Sequence, residues 1–427
     1  MPFYVQRRFL PLFICQFFGA FNDNLLKSGL SFLVVYQWHN NDPWLSPAHT
    51  IQLATAFLVL PFLLFSHKAG SLADTYDKAR MARAIKGLEI VIVSITSLAF
   101  YWQNTALLLF CVFLMGSQST FFGPIKYALL PLHLKGRELL LGNACIESST
   151  FIAILIGSVG GGVLSLFPHS TFLISSTVIS CALIGWLASM FIPLQTHAIQ
   201  HGMPHASPYR QDLSWRETYR LIARHPPLLS LIMAISWFWF FGAMLLSQLP
   251  LFTKHHLAGD ESLATMFLAV LTAGITCGAF SAPPLLKRFR LPHVLIASCA
   301  IMGGASLVFS SLASSMPTAI HTAVLVSALF TSAWAGGLYS VPLYTALQKT
   351  SPPAILSRCI ATNNIVNACL IIGSALCALT LLHLSATIQT ILILNSIVPL
   401  TLALYYGLHR IGKTSHPLTS LDERHNI

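Results

Sequence analysis

The sequence predicts an all-α polytopic membrane protein, with twelve transmembrane helices arranged as two pseudo-symmetric six-helix bundles. Three observations carry this. Only 9% of the 427 residues are charged, 55% are hydrophobic, and the mean hydropathy is +0.70; a soluble domain carries about 25% charged residues. Apolar runs long enough to cross a bilayer, about 20 residues each, recur along the whole chain. Short sequence matches in the first half return, in order, in the second.

The spans fall at 9–36, 49–66, 82–102, 105–123, 139–166, 171–194, 227–253, 262–282, 292–314, 318–343, 361–384 and 387–409. Several are interrupted by Gly or Pro, which membrane helices tolerate when neighbours satisfy the freed backbone. The chain divides into an N-terminal bundle (1–194), a linker (195–226), a C-terminal bundle (227–409) and a tail (410–427). The first apolar run, after Arg7 and Arg8, resembles a signal peptide. It holds Asn22, Asp23, Asn24 and Lys27 and lacks a small-residue cleavage site, so it reads as a retained first helix.

The net charge of +11 raises nucleic acid as a partner. The basic residues, however, sit in breaks between apolar runs and not on a stripe interleaved with aromatics, which excludes it. They report topology instead. With a cytoplasmic N-terminus, every one of the 24 Lys and Arg falls on the cytoplasmic side except Lys27, inside a span, and Lys254, in a periplasmic loop. That predicts an inner-membrane protein with both termini in the cytoplasm.

In the linker, Arg216, Arg220 and Arg224 share one helical face. A helix lying on the anionic inner leaflet fits this pattern, and so does a solvated linker helix. His197, His201 and His205 are four apart, but Gly202 and Pro204 interrupt any helix, so no metal is expected. The nine cysteines show no CxxC spacing and read as packing residues. No cofactor is implied.

Two halves are visible. Phe17-Phe18-Gly19-Ala20 returns as Phe240-Phe241-Gly242-Ala243, Ile156-Gly157-Ser158 as Ile372-Gly373-Ser374, and Pro124 as Pro342. Three matches in order at nearly one offset argue for a duplicated six-helix unit. Gly157/Gly161 and Gly274/Gly278 form GxxxG pairs that let helix backbones approach closely.

After the second span comes Gly70-Ser71-Leu72-Ala73-Asp74-Thr75-Tyr76-Asp77-Lys78-Ala79-Arg80. Gly70 permits a close turn, and Asp74 suits a helix N-terminus or a basic partner. This stretch resembles the signature loop of the major facilitator superfamily, with Thr75 and Asp77 as departures. Gly70, Asp74, Lys78 and Arg80 are the implied conformational latch. The matching loop of the second half, Lys287-Arg288-Phe289-Arg290, lacks both Gly and Asp, so the latch is expected on one side only. In that superfamily the fifth and eighth helices meet across the halves, which implies a rocking interface at the two GxxxG pairs.

Three further stretches narrow the resemblance: Gln16 to Lys27, Gly123 to Pro131, and Gly142-Asn143-Ala144 with Glu147. With the loop they resemble the bacterial lysophospholipid transporter family. Its members flip lysophospholipids across the inner membrane for re-acylation by an acyltransferase/acyl-ligase. No such domain is present here, so that partner is expected as a separate chain.

The residues themselves point the same way. A charge inside a span costs at least about 2.5–3.5 kcal/mol and usually faces a cavity. The inventory is Asp23, Lys27, Glu89 and Glu147. Asp23 and Lys27 are i,i+4 and share a face. They either neutralise each other or receive a zwitterionic headgroup, Asp23 taking an ammonium and Lys27 a phosphate, with Asn22 and Asn24 adding hydrogen bonds. The equivalent stretch of the seventh span, from Met244 to Ser247, is uncharged, and Trp237-Phe238-Trp239-Phe240 precedes it. That contrast suits a substrate with one polar end and one acyl chain; lipid-facing packing is the alternative for the aromatics. Glu147, aligned with Asn363, is a second polar wall, a proton-exchange site or a structural anchor. Glu89 is expected to pair with the basic loop. Gln118, with Lys126 and Tyr127 beyond the end of its span, would guide a phosphate at the inner mouth. The rival readings are another amphiphile or drug as substrate, with proton drive, and a non-transporting scaffold. No nucleophile–base constellation stands out, so no enzyme activity is expected.

Overall fold

The computed structural model describes residues 2–36, 38, 47–194, 214–257, 261–312 and 319–412. His197, His201, His205 and most of the linker and tail lie outside them. The described residues form helices α1 (Leu10–Tyr36), α2 (Pro47–Thr75), α3 (Lys78–Tyr101), α4 (Thr105–His133), α5 (Arg137–Ser165), α6 (Ser170–Met190), α7 (Trp215–Ala223), α8 (Pro226–His256), α9 (Glu261–Arg288), α10 (Leu291–Ser311), α11 (Ala319–Thr350), α12 (Leu356–His383) and α13 (Ile388–Gly412). All but α7 are long. Eleven are also apolar enough to cross a membrane on length and composition alone. The remaining long helix is α1, whose hydropathy is lowered by Asn22, Asp23, Asn24 and Lys27 in its middle.

Several helices outrun their apolar runs. α4 continues through Pro124 and Pro131, and α11 through Pro342. Proline removes one backbone donor but does not end a membrane helix whose neighbours compensate. Lys126 and Tyr127 therefore lie within α4, not beyond it. α2 likewise runs to Thr75, so most of the expected loop is helix. The turn is short because Asp77 caps α3, its Oδ1 accepting the N–H of Arg80 at 2.8 Å. An N-cap needs a short polar acceptor, which explains aspartate where the signature has glycine.

The helices cluster into two compact units. The first holds α1–α4, most of α5, α6 and the start of α12. The second holds α8–α11, most of α12, α13 and residues 143–148 of α5. The same pairings occur in each. α2 packs on α4, α3 on α4 and α6, and α1 on α2, α4 and α6; α9 packs on α11, α10 on α11 and α13, and α8 on α9, α11 and α13.

Basic residues brace the first unit. Arg83 donates to the carbonyls of Ser189, Met190 and Ile192, and Arg7 to that of Phe191, so cations close the C-terminus of α6. Arg8 grips Glu138 through two 2.8 Å bonds at the start of α5. In the second unit, α9 and α11 cross so closely that a Cβ on Gly274 would sit 2.7 Å from the Phe330 carbonyl oxygen, and one on Gly278 would overlap that of Trp334. Gly157 and Gly161 do the same for α5 on α1, against the carbonyls of Phe21 and Leu25. Both GxxxG pairs thus serve packing inside one unit.

α7 is closed by a capping box, Glu217 accepting from the backbone N–H and hydroxyl of Ser214. Thr218 and Ile222 are buried, while Arg216, Arg220 and Arg224 are exposed. Trp215 and Tyr219 are exposed as well, so an apolar aromatic pair stands open beside the three arginines.

Candidate functional site

Successive residues of a helix point about 100° apart, and the polar cluster of α1 is shared out among its neighbours accordingly. Asn22 is fully buried; its Nδ2 donates to Glu89 Oε1 and to the carbonyl of Val178, both at 3.1 Å. Asn24 turns back on its own helix, donating to the Ala20 carbonyl at 2.8 Å. Asp23 and Lys27 are half-buried. Asp23 Oδ2 accepts the Ser119 hydroxyl at 2.5 Å, while its buried Oδ1 has no partner. Among the described residues Asp23 and Lys27 form no ion pair with each other. The i,i+4 spacing does put them on one face, but Asp23 is turned toward α4.

The electrostatic centre of the unit is elsewhere. Lys86 Nζ lies 2.6 Å from Glu89 Oε2, with the two side chains 1% and 0% exposed. Gln118 Nε2 donates to the same carboxylate oxygen at 3.0 Å. The ammonium occupies space left by two glycines: a Cβ on Gly19 would sit 2.7 Å from Nζ, and one on Gly185 3.7 Å. The Phe122 ring covers it at 5.1 Å, a cation–π contact. Glu89 therefore pairs with a residue of its own helix deep in the bundle, not with the basic loop. Sequence reasoning missed Lys86 by counting it as a topology marker. It lies inside the span drawn at 82–102, one turn before Glu89, and that i,i+3 spacing was the available signal. Ser119 was missed as well; a lone serine beside Gln118 carries no signal by itself.

Gln118 is buried, and its oxygen lies 3.3 Å from the Ser119 hydroxyl. Lys126 donates to Gln16 Oε1 at 3.0 Å and lies over the Tyr127 ring; Gln16 Nε2 in turn reaches Thr150 Oγ1. Asn363 is fully buried with neither amide atom partnered. These residues belong to the first unit. Glu147 is buried on the stretch of α5 that belongs to the second. There Asn143 exchanges amide hydrogen bonds with Gln348, at 2.6 and 3.1 Å, and donates to Thr345 at 3.1 Å. The aromatic run of the second unit is packed against protein. Trp239 donates to the Tyr344 hydroxyl, Trp237 packs on Phe241 and Tyr339, and none of Trp237–Phe240 is exposed.

At the end of α2, Asp74 accepts the backbone N–H groups of Ser357 (2.9 Å) and Arg358 (3.1 Å) in the first turn of α12. Arg358 adds its guanidinium, with Nε 3.8 Å from Asp74 and Nη2 donating to Ser71 at 3.2 Å. The first turn of a helix has unpaired donors and a positive dipole end, so a carboxylate fits there. Gly70 lets the two helices meet: its Cβ would fall 2.6 Å from that of Ala361. It is a crossing glycine rather than a turn glycine. Lys78 opens α3, and Arg80 is exposed, bonding Asp77 through its backbone.

Comparison with known proteins decides the family. The sequence profile of the Major Facilitator Superfamily matches residues 12–376. The chain belongs to this superfamily. Its likeness to a lysophospholipid transporter of Pectobacterium carotovorum subsp. carotovorum (strain PC1) is 27% identity, over 84% of this chain and 83% of that one. One from Yersinia pestis (strain Pestoides F) is 26% identical over the same shares. Among solved structures, a superfamily transporter, FucP, in the outward conformation matches with TM-score 0.69 at 15% identity, covering 94% of this chain and 99% of that one. The human organic anion transporter MFSD10 matches with TM-score 0.71 at 14% identity, over 94% and 98%. These structures share the fold. This chain is accordingly a multi-pass membrane transporter.

Proposed function

We propose that this superfamily member flips lysophospholipids of the lysophosphatidylethanolamine kind across the inner membrane, delivering them for re-acylation by a separate acyltransferase/acyl-ligase. The observation that carries this reading is the pairing on one face of α1 of an Asp23 oxygen without a partner and a Lys27 without an ion pair to it. Two opposite charges left open one turn apart suit a zwitterion: the ammonium goes to Asp23, the phosphate to Lys27. Similarity to lysophospholipid transporters over most of the chain supports the same substrate class. Asn22 and Gln118 back the site from the core; Asn24 and Asn363 are further polar contacts, and Lys126 with Tyr127 guides the phosphate, while Glu147 is a polar substrate contact supplied by the second unit's own stretch of α5. With cytoplasmic termini, Gly70, Asp74, Lys78 and Arg80 lie at the cytoplasmic end, where Asp74 on α12 is a latch that releases during alternating access.

The test is flipping of labelled lysophosphatidylethanolamine in proteoliposomes. Wild-type protein is expected to move it. Normal flipping by an Asp23→Ala, Lys27→Ala double variant would sink the headgroup assignment. A broad substrate profile without competition from lysophospholipid would select another amphiphile, and dependence on a proton gradient would set the driving force.

A further inference from the structure

A buried charge pair in a membrane bundle costs desolvation, and packed apolar residues often serve stability equally well. Lys86 and Glu89 are nevertheless accommodated with care, in a slot formed by Gly19, Gly185 and the Phe122 ring. Neither side chain reaches a surface. What they do reach is α1: directly at Asn22, which donates to Glu89 Oε1, and at the Asp23 carboxylate through two side chains of α4.

The hydrogen count along that route is informative. Gln118 donates its N–H to Glu89 Oε2, so its oxygen must face Ser119. Ser119 has one hydroxyl hydrogen and two acceptors within reach, Asp23 Oδ2 at 2.5 Å and Gln118 Oε1 at 3.3 Å. The carboxylate is nearer, yet it holds that hydrogen in competition with the amide oxygen. A Gln118 released from Glu89 can turn over and donate to Ser119 instead. The serine hydrogen then goes to Asp23 uncontested, and the carboxylate has less capacity left for a cation.

We propose that the Lys86–Glu89 pair is a positioning element for headgroup choice: by fixing the Gln118 amide, it keeps Asp23 under-satisfied through Ser119 and so tuned to a cationic headgroup. This rests on Asp23 being the ammonium acceptor. Glu89 and Lys86 touch no substrate; Gln118 and Ser119 transmit their effect. Lys86, 2.6 Å from Glu89 Oε2, holds that carboxylate in place and so keeps the amide in one orientation.

The experiment measures initial flipping rates of lysophosphatidylethanolamine and lysophosphatidylglycerol in proteoliposomes, and their ratio. Lys86→Met with Glu89→Leu removes both charges together with the acceptor that holds Gln118. Gln118→Leu cuts the route while keeping both charges, and serves if the first variant fails to fold. Each is expected to lower the ethanolamine-to-glycerol ratio by roughly tenfold, the scale of one hydrogen bond to a charged group. In a Ser119→Ala background neither is expected to shift the ratio further, and Ser119→Thr, which retains the hydroxyl, is expected to restore their effect. Equal losses for both headgroups, or a shift that persists without the Ser119 hydroxyl, would overturn the proposal and leave the pair a packing feature. A wild-type protein that flips neither lipid fails the transport reading itself, a distinguishable outcome that takes this proposal with it.

Discussion

Lys86 Nζ and Glu89 Oε2 lie 2.6 Å apart on one face of α3, with neither side chain more than 1% exposed. Removing one partner of such a pair leaves an uncompensated buried charge, which costs about 3–5 kcal/mol, whereas removing both is often close to neutral. Lys86→Met alone should therefore lower the melting temperature sharply in detergent, and adding Glu89→Gln should recover most of the loss. Equal and additive losses would show that the charges do not interact.

Gly19 makes room for that ammonium. Gly19→Ala places a methyl 2.7 Å from Nζ, forcing the flexible lysine tip off its partner. Gly242, its counterpart in the repeat, has nothing within 4 Å of a built Cβ, and neither has Gly373, the counterpart of Gly157. Alanine there removes a helix-interior glycine at no steric cost and should stabilise by up to about 1 kcal/mol. Thermal unfolding of the four variants should split them by half of the chain: losses for Gly19 and Gly157, neutrality or gains for Gly242 and Gly373.

That split shows what the sequence could reveal and what it could not. The duplication was legible because each repeat keeps its residue types at matching positions, and the helix pairings confirm a duplicated plan. The meaning of each glycine was not, because it depends on which atom of another helix lies opposite. The site shows the same divide. Asp23 was conspicuous as a charge in an apolar run. Lys86 carries the same signal but lies near a helix start among topology-setting bases, so only the packing of α1, α3, α4 and α6 reveals that it faces inward. The turn after α2 was placed correctly in the chain, yet its helical character and the capping role of Asp77 emerged only from hydrogen bonds.

Asp74 closes the first turn of α12 with both carboxylate oxygens. Asp74→Ala leaves the Ser357 and Arg358 N–H groups without this acceptor. Loss of a helix-capping side chain costs about 0.5–2 kcal/mol. Hydrogen exchange should accelerate at these two amides while the core of α3 stays protected. Unchanged exchange at Ser357 and Arg358 would mean that the contact does not hold the helix start, and the latch would lose its basis.

The two charges of α1 should separate kinetically if they receive different ends of one headgroup. Asp23→Asn keeps the shape and an acceptor for Ser119 but removes the negative charge that holds an ammonium. Its effect should fall on ethanolamine-bearing lysophospholipid and largely spare the glycerol-bearing one. Lys27→Met removes the attraction for phosphate, which both lipids carry, so it should weaken them alike. A hydrogen bond to a charged group is worth about 1.5–3 kcal/mol, so half-saturation should rise by at least about tenfold for each affected substrate. Because Asp23 and Lys27 form no direct ion pair with each other, each variant costs the other charge only an attraction beyond contact distance, and the melting temperatures of both should stay near that of the wild type. If instead each variant is destabilised and the double variant is rescued, the residues serve one another in folding, and the headgroup must be bound elsewhere.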